Sequence, residues 1–136
     1  MKKPSLLLAE CLLLALIGCQ NPEKSTRCMD EGVTLMMRSG SYAEAEEAFT
    51  KAIRYDKNNY EAYYYRGCAK INAAHYQDAI PDLEEAIAIK PDYADAYFNL
   101  GRVHYLLGNS DKACEYYKLA EQYGRPNLED YLKRCP

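Results

Sequence analysis

The side chains best suited to chemistry in this chain are its 6 cysteines and 2 histidines. A thiolate attacks carbonyl carbon or binds metal, and imidazole is the usual base beside it. Cys68 and His104 could form such a nucleophile–base pair if they stand on neighbouring helices. No Asn or Asp lies at a spacing that would orient the imidazole, and no Cys or His pair has metal-ligand spacing. His104 occupies a helix position suited to an aromatic ring, so core packing is its expected role, and Cys68 reads as a small apolar residue. The carboxylates Glu44, Glu46, Glu47, Glu84 and Glu85 read as solvated helix faces. Neither a phosphate loop nor a nucleophile elbow is present. No enzyme activity, cofactor or metal is therefore expected.

The remaining composition bounds the class of molecule. A chain of 136 residues holds one ordinary domain, and 49% apolar with 27% charged residues excludes a disordered tail or a polytopic membrane protein. A net charge of −3 argues against a nucleic-acid partner, which selects a basic face. Tyrosine is 14 against 2 Phe and no Trp, a bias toward sites that are half apolar and half wet.

The chain begins with an address. Lys2 and Lys3 precede an apolar stretch, Leu6 to Ala9 and then Cys11 to Ile17, interrupted only by Glu10. It is too short to span a bilayer and has the layout of a secretory signal. It closes on Leu16-Ile17-Gly18-Cys19, which resembles the bacterial lipoprotein signal, in which the Cys receives a diacylglyceryl thioether before cleavage. The resemblance implies a signal over 1–18, acylation of Cys19 and a tether through residue 27, since 20–27 has no apolar periodicity. Gln20 is not the acidic residue associated with inner-membrane retention, so an outer-membrane anchor is expected, its periplasmic or surface face left open.

Beyond the tether the sequence repeats every 34 residues. Gly67 and Gly101 keep this step, as do Tyr63 and Tyr97, Ala45, Ala79 and Ala113, Ala52, Ala86 and Ala120, and the large side chains Phe49, Leu83 and Tyr117. A 34-residue period with two amphipathic helices per unit defines a helical solenoid, and the set Tyr63, Gly67, Tyr76, Ala79, Leu83, Ala86 and Pro91 resembles the tetratricopeptide repeat. The expected fold is an all-α solenoid over 28–136, with units 26–59, 60–93 and 94–127 and a capping helix over 127–135. Leu128, Tyr131, Leu132 and Cys135 give that cap one apolar stripe. In the first unit, Met29 and Gly32 fit the pattern loosely.

Local signals place the elements. Ser41 with Glu44, Asn58 with Glu61 and Asp92 with Asp95 mark helix starts. Gly40 and Gly108 suit left-handed turns, His75 is a poor cap, and Pro81 predicts a kink or a late start in its helix. The last repeat helix and the cap should form an antiparallel hairpin turning near Gly124, which sets Cys114 level with Cys135 for a disulfide. A bridge over that loop contributes on the order of 3 kcal/mol. Cys28 and Cys68 are six positions out of register, about 9 Å along parallel helices, and pair less readily.

The resemblance implies a protein-binding scaffold whose first helices line a concave groove. The family's groove positions fall here on Tyr64, Ile71, Phe98 and Tyr105, flanked by Arg38 and Arg102. Aromatic and Arg residues of this kind dominate interface hot spots, so Tyr64→Ala and Phe98→Ala are expected to weaken capture without loss of helix. Chaperone-binding members hold a carboxylate with a Lys/Asn/Arg clamp, whereas the matching positions here carry Asp30, Thr34, Tyr65 and Asn72, so a chaperone tail is not the expected ligand. The reading is a membrane-tethered adaptor for peptides or proteins, with the bilayer met through Cys19 and no nucleic acid or small-molecule substrate. The alternative is an assembly factor in an envelope machine, a pilotin-like or barrel-assembly-like lipoprotein.

Overall fold

A computed structural model describes residues 20–136; the segment read as a signal and the acyl acceptor Cys19 lie outside the described residues. Among the described residues the chain forms seven helices and no strand: α1 Pro22–Ser39, α2 Tyr42–Tyr55, α3 Tyr60–Asn72, α4 Tyr76–Ile89, α5 Ala94–Leu106, α6 Ser110–Gln122 and the single-turn α7 Glu129–Leu132. Short turns make neighbouring helices antiparallel. Each helix packs on the next, and the first helices of successive units also meet, α1 on α3 and α3 on α5. The architecture is the all-α solenoid of three helix pairs with a C-terminal cap.

The repeated residues explain the pairing. Ala45, Ala79 and Ala113 are buried in α2, α4 and α6, and one turn later Phe49, Leu83 and Tyr117 are buried beside them. Each large side chain presses on a glycine of the partner helix. A Cβ at Gly32 would stand 2.6 Å from Phe49, at Gly67 3.0 Å from Leu83, and at Gly101 2.5 Å from Tyr117. Gly32 is thus the first unit's member of the set. It lies eight positions before the left-handed Gly40, whereas Gly67 precedes Ala74 and Gly101 precedes Gly108 by seven. One extra residue in the later part of α1 puts Gly32 out of register and accounts for its loose fit to the period.

The turns use the left-handed conformation at Gly40, Ala74 and Gly108, with φ of 62°, 62° and 82°. After α3 and α5, the His75 and Asn109 N–H groups donate to the Lys70 and His104 carbonyls at 2.8 Å, satisfying helix-end acceptors.

Several local expectations are corrected. Residues 22–27 are not tether but the first turns of α1: Asn21 caps Lys24 N–H at 3.0 Å, and Ser25 is buried, donating to the Ala52 carbonyl at 2.9 Å. Polar side chains that bond backbone hold this stretch in place of an apolar stripe. The α3 cap is Asn59 rather than Asn58, accepting from Ala62 N–H at 3.0 Å. Tyr93 holds the α5 N-cap, and Asp92 instead pairs with Lys90 at 2.8 Å. The helix α4 starts at Tyr76 and runs through Pro81, so no late start occurs. The cap over 127–135 is a single α-turn. Asn127 is left-handed at φ 61°, and i→i+3 bonds from Arg134 and Cys135 tighten the chain after Leu132. That tightening brings Cys135 to Cys114, and the two form a disulfide. Cys28 and Cys68 are free thiols.

One polar network lies inside the apolar seams. Asp82 of α4 is buried and accepts from Arg66 Nε at 2.9 Å, Arg66 Nη2 at 2.6 Å and Lys70 Nζ at 2.7 Å, while Arg66 Nη1 reaches Thr50 Oγ1 of α2 at 3.1 Å. Two cations on one buried carboxylate satisfy its lone pairs and tie the first unit to the second.

Candidate peptide-binding groove

The concave surface is made where α1, α3 and α5 lie side by side. Its C-terminal part is a cleft of about 240 Å³ whose lining includes Tyr64, Cys68, Asn99, Arg102 and Arg125. Tyr64 is held from two sides, with ring centroids 5.2 Å from Tyr65 and 4.9 Å from Tyr93. Asn99 Nδ2 donates toward the Tyr64 hydroxyl at 3.2 Å and the Cys68 sulfur at 3.3 Å, while Asn99 Oδ1 accepts from Arg102 Nη1 at 3.1 Å. Asn99 is 5% exposed, so it orients these groups from beneath. Burial pushes the Tyr64 phenol well above its ordinary range. Burial also pushes the Cys68 thiol up to about 11, against hydrogen bonds from Tyr64 and Asn99 that lower it. Both groups are therefore neutral at pH 7, and Cys68 is a protonated thiol rather than a nucleophile. His104 is not its partner: it stacks on Tyr116 at 5.4 Å in the α5–α6 seam.

Charge divides the groove. Phe98 lies under two guanidinium groups, Arg125 at 4.0 Å and Arg102 at 6.0 Å from its centroid. Arg125 is ion-paired with Asp95, but among the described residues Arg102 meets no carboxylate. Toward the N-terminus a second cleft, about 430 Å³, is lined by Thr34, Asn59, Tyr65 and the acidic Asp30 and Glu61, which form no ion pair among the described residues. A ligand lying along the groove would pass from an acidic end, over the Tyr64–Tyr65 rings, to a basic end.

The residues read from the sequence are only partly brought together. Tyr64, Ile71, Phe98 and Arg102 line one cleft. Ile71 and Phe98, however, are 6% and 8% exposed. Ile71 packs with Leu83, Leu100 and Val103 where the second unit meets the third, and Phe98 packs on Tyr117 of its own unit and Tyr131 of the cap. They form the floor rather than an exposed strip, and Phe98→Ala would open a core cavity instead of leaving the fold intact. Tyr105 is 47% exposed but lies elsewhere, on a small apolar recess beside Tyr117, Tyr131 and Arg134 of the cap. Arg38 is exposed in the last turn of α1, outside the cleft lining. The sequence reading missed Asn99, Tyr93 and Arg125. Asn99 carried a signal, since it stands 34 residues after Tyr65 and puts an amide where the preceding unit has a ring. Arg125 carried none, because a turn residue's reach depends on the cap. Among the described residues no group of three or more His, Cys, Asp or Glu side chains could hold a metal ion.

Known proteins share this fold. Profiles described as tetratricopeptide repeat match residues 25–59, 48–80 and 94–125, and one described as TPR repeat matches 75–108. The chain belongs to the tetratricopeptide repeat family. It is 32% identical over 72% of its length to the small glutamine-rich tetratricopeptide repeat-containing protein 2 of Saccharomyces cerevisiae, spanning 28% of that protein. It is 34% identical over 59% of its length to the Hsp70-Hsp90 organizing protein of Triticum aestivum, spanning 14% of it. Among solved structures, MamA superposes with a TM-score of 0.71 at 31% identity, over 87% of this chain and 66% of that one. The first TPR of Spaghetti (RPAP3), bound to the HSP90 peptide SRMEEVD, superposes with a TM-score of 0.81 over 86% of this chain and 94% of that one. At 22% identity it shows the shared fold.

Proposed function

We propose that this protein is an adaptor held at the bacterial outer membrane by acylated Cys19, capturing a segment of another protein in its concave groove. One observation carries the reading: Arg102 is fixed in the groove by Asn99 yet meets no carboxylate among the described residues. A guanidinium has five donors in a fork that matches a carboxylate. The segment captured is extended or helical, presents an apolar side chain to Tyr64 and the Phe98 floor, and carries a carboxylate to Arg102. Repeats of the same fold binding an acidic peptide, as the Spaghetti repeat does with SRMEEVD, support the ligand class. The different residues at the family's clamp positions support a different partner.

The test is capture from envelope extract by the immobilised domain. Arg102→Gln removes the charge, and Tyr64→Phe removes a hydroxyl while keeping the packed ring. Arg102→Gln is expected to weaken capture by about tenfold or more, the loss of one charge-assisted contact at 1.5–3 kcal/mol. Tyr64→Phe is expected to have a smaller effect. Equal capture by wild type and Arg102→Gln would refute the groove as the binding site. Recovery of secretin, pilin or barrel-assembly subunits would specify the adaptor as an assembly factor.

A further inference from the structure

The turns between units, together with the chain's entry into α1, form one continuous edge. Asn21 N–H donates to the Tyr55 carbonyl at 2.7 Å, so the start of α1 is fixed against the end of α2. Asn59 Nδ2 reaches Ser25 Oγ at 3.0 Å, which adds the start of α3. Tyr60 meets Tyr93 at 5.0 Å between centroids, and Lys90 Nζ stands 5.6 Å over the Tyr60 ring, which adds the α4–α5 turn. Tyr97 stacks on Tyr123 at 5.1 Å, and Arg125 pairs with Asp95, which adds the α6–α7 turn. The opposite edge holds the turns within units, at Gly40, Ala74 and Gly108. A 13-residue helix such as α3 separates the two edges by about 20 Å.

We infer that the inter-unit edge lies against the lipid headgroup surface and fixes how the solenoid stands on the membrane. The inference rests on the proposal that Cys19 is acylated. From Cys19 to the pinned Asn21 is two Cα steps, at most about 7 Å. A tether of that length cannot let the far edge turn to the bilayer while the acyl chains remain inserted. The side chains along the near edge fit that position. Tyr55, Tyr60, Tyr93, Tyr97 and Tyr123 place amphipathic rings there, the type that settles at the level of lipid headgroups. Charges of both signs occur together, Lys24, Lys57 and Lys90 with Glu23, Asp56 and Asp92. The edge therefore has no strong net attraction for anionic lipid; the anchor supplies affinity and the edge supplies orientation. The helices then stand away from the bilayer, the groove runs along it, and Arg102, eight residues into α5 from Ala94, is about 12 Å above the edge. The captured segment would be one lying close to the membrane in its own protein.

The exposed apolar residues Met37, Leu106 and Leu107 make the prediction sharp, because they sit toward the far edge and would be the bilayer contact if the orientation were reversed. The test uses full-length lipidated protein in vesicles of zwitterionic lipid. A benzophenone amino acid replaces Lys57 or Asp92 on the near edge and His75 or Asn109 on the far edge. Acylation of Cys19 is measured by mass spectrometry and the fold by circular dichroism. Cross-linking to lipid is expected at Lys57 and Asp92, several-fold above His75 and Asn109. Equal or stronger cross-linking from the far edge in acylated protein would overturn the inference alone. An unacylated Cys19 would overturn the anchor reading and the inference with it.

Discussion

Between α3 and α4, Gly67 faces Leu83 and the buried Asp82 binds Arg66 and Lys70; between α5 and α6, Gly101 faces Tyr117, His104 stacks on Tyr116, and the Cys114–Cys135 bridge closes the end. The two seams have the same backbone geometry and different chemistry. The second unit has a neighbour on both sides, and its ion network reaches back to Thr50 of the first. The third has a neighbour on one side only, and there aromatic rings, a one-turn cap and a covalent bond close the open face. The repeat requires a close approach at one glycine; what surrounds that glycine depends on where the unit stands in the stack.

The largest expected effect is on the ion network. Asp82→Asn leaves Arg66 and Lys70 half-buried without a counter-charge and is expected to destabilise by about 3 kcal/mol in urea denaturation. A loss comparable to that of a surface ion pair would show that solvent already screens the seam. The glycines separate the two seams more finely. Gly101→Ala drives a methyl against Tyr117 at 2.5 Å and the Ala113 carbonyl at 3.1 Å, neither of which can yield easily. It is expected to cost about 1–3 kcal/mol. Gly67→Ala sets its methyl 3.0 Å from Cγ of the buried Leu83 and 3.5 Å from the Ala79 carbonyl, so Leu83 need give by only a few tenths of an ångström, and a gain of about 1 kcal/mol in helix propensity offsets that cost; the loss should be smaller than at Gly101. Equal losses would mean that the seams are equally rigid.

Smaller effects come from the turns and from pH. Gly108→Ala, with open space around its Cβ, isolates the left-handed cost at about 1 kcal/mol. Ala74→Gly removes that cost from the second unit but gains less, because glycine also frees the unfolded chain. His104 is 4% exposed, and among the described residues neither ring nitrogen has a hydrogen-bond partner. Burial first, and Lys112 second, hold its pKa below the usual 6.5. The unfolded chain therefore binds the proton first. Stability from this group is complete above pH 6.5 and is lost as pH falls through the folded pKa. Urea midpoints should fall over that window in wild type, and His104→Phe should flatten the decline.

These contrasts also explain what the sequence made legible. Ala45, Ala79, Ala113 and their large partners recur because every helix pair needs the same close approach, so the fold was readable from a period. Position-specific chemistry does not recur. Asp82 has no counterpart to reveal it, and Asn99 breaks the pattern at Tyr65 by putting an amide beneath the groove. The start of α1 carries no apolar period because Asn21 and Ser25 hold it by polar bonds to backbone. Ile71 and Phe98 stand at groove positions, but whether such a residue ends as floor or strip depends on the neighbouring unit and cap, which no single repeat specifies.

The cleft between α3 and α5 is the proposed seat of the partner. The most direct measurement is photo-cross-linking in the native envelope, with a benzophenone amino acid at Asn72 on the cleft or at Lys118, exposed on α6 outside its lining. A discrete protein adduct is expected from Asn72, lost when Arg102→Gln is added, and little from Lys118. An adduct from Lys118 equal to that from Asn72, or one from Asn72 that survives Arg102→Gln unchanged, would contradict it.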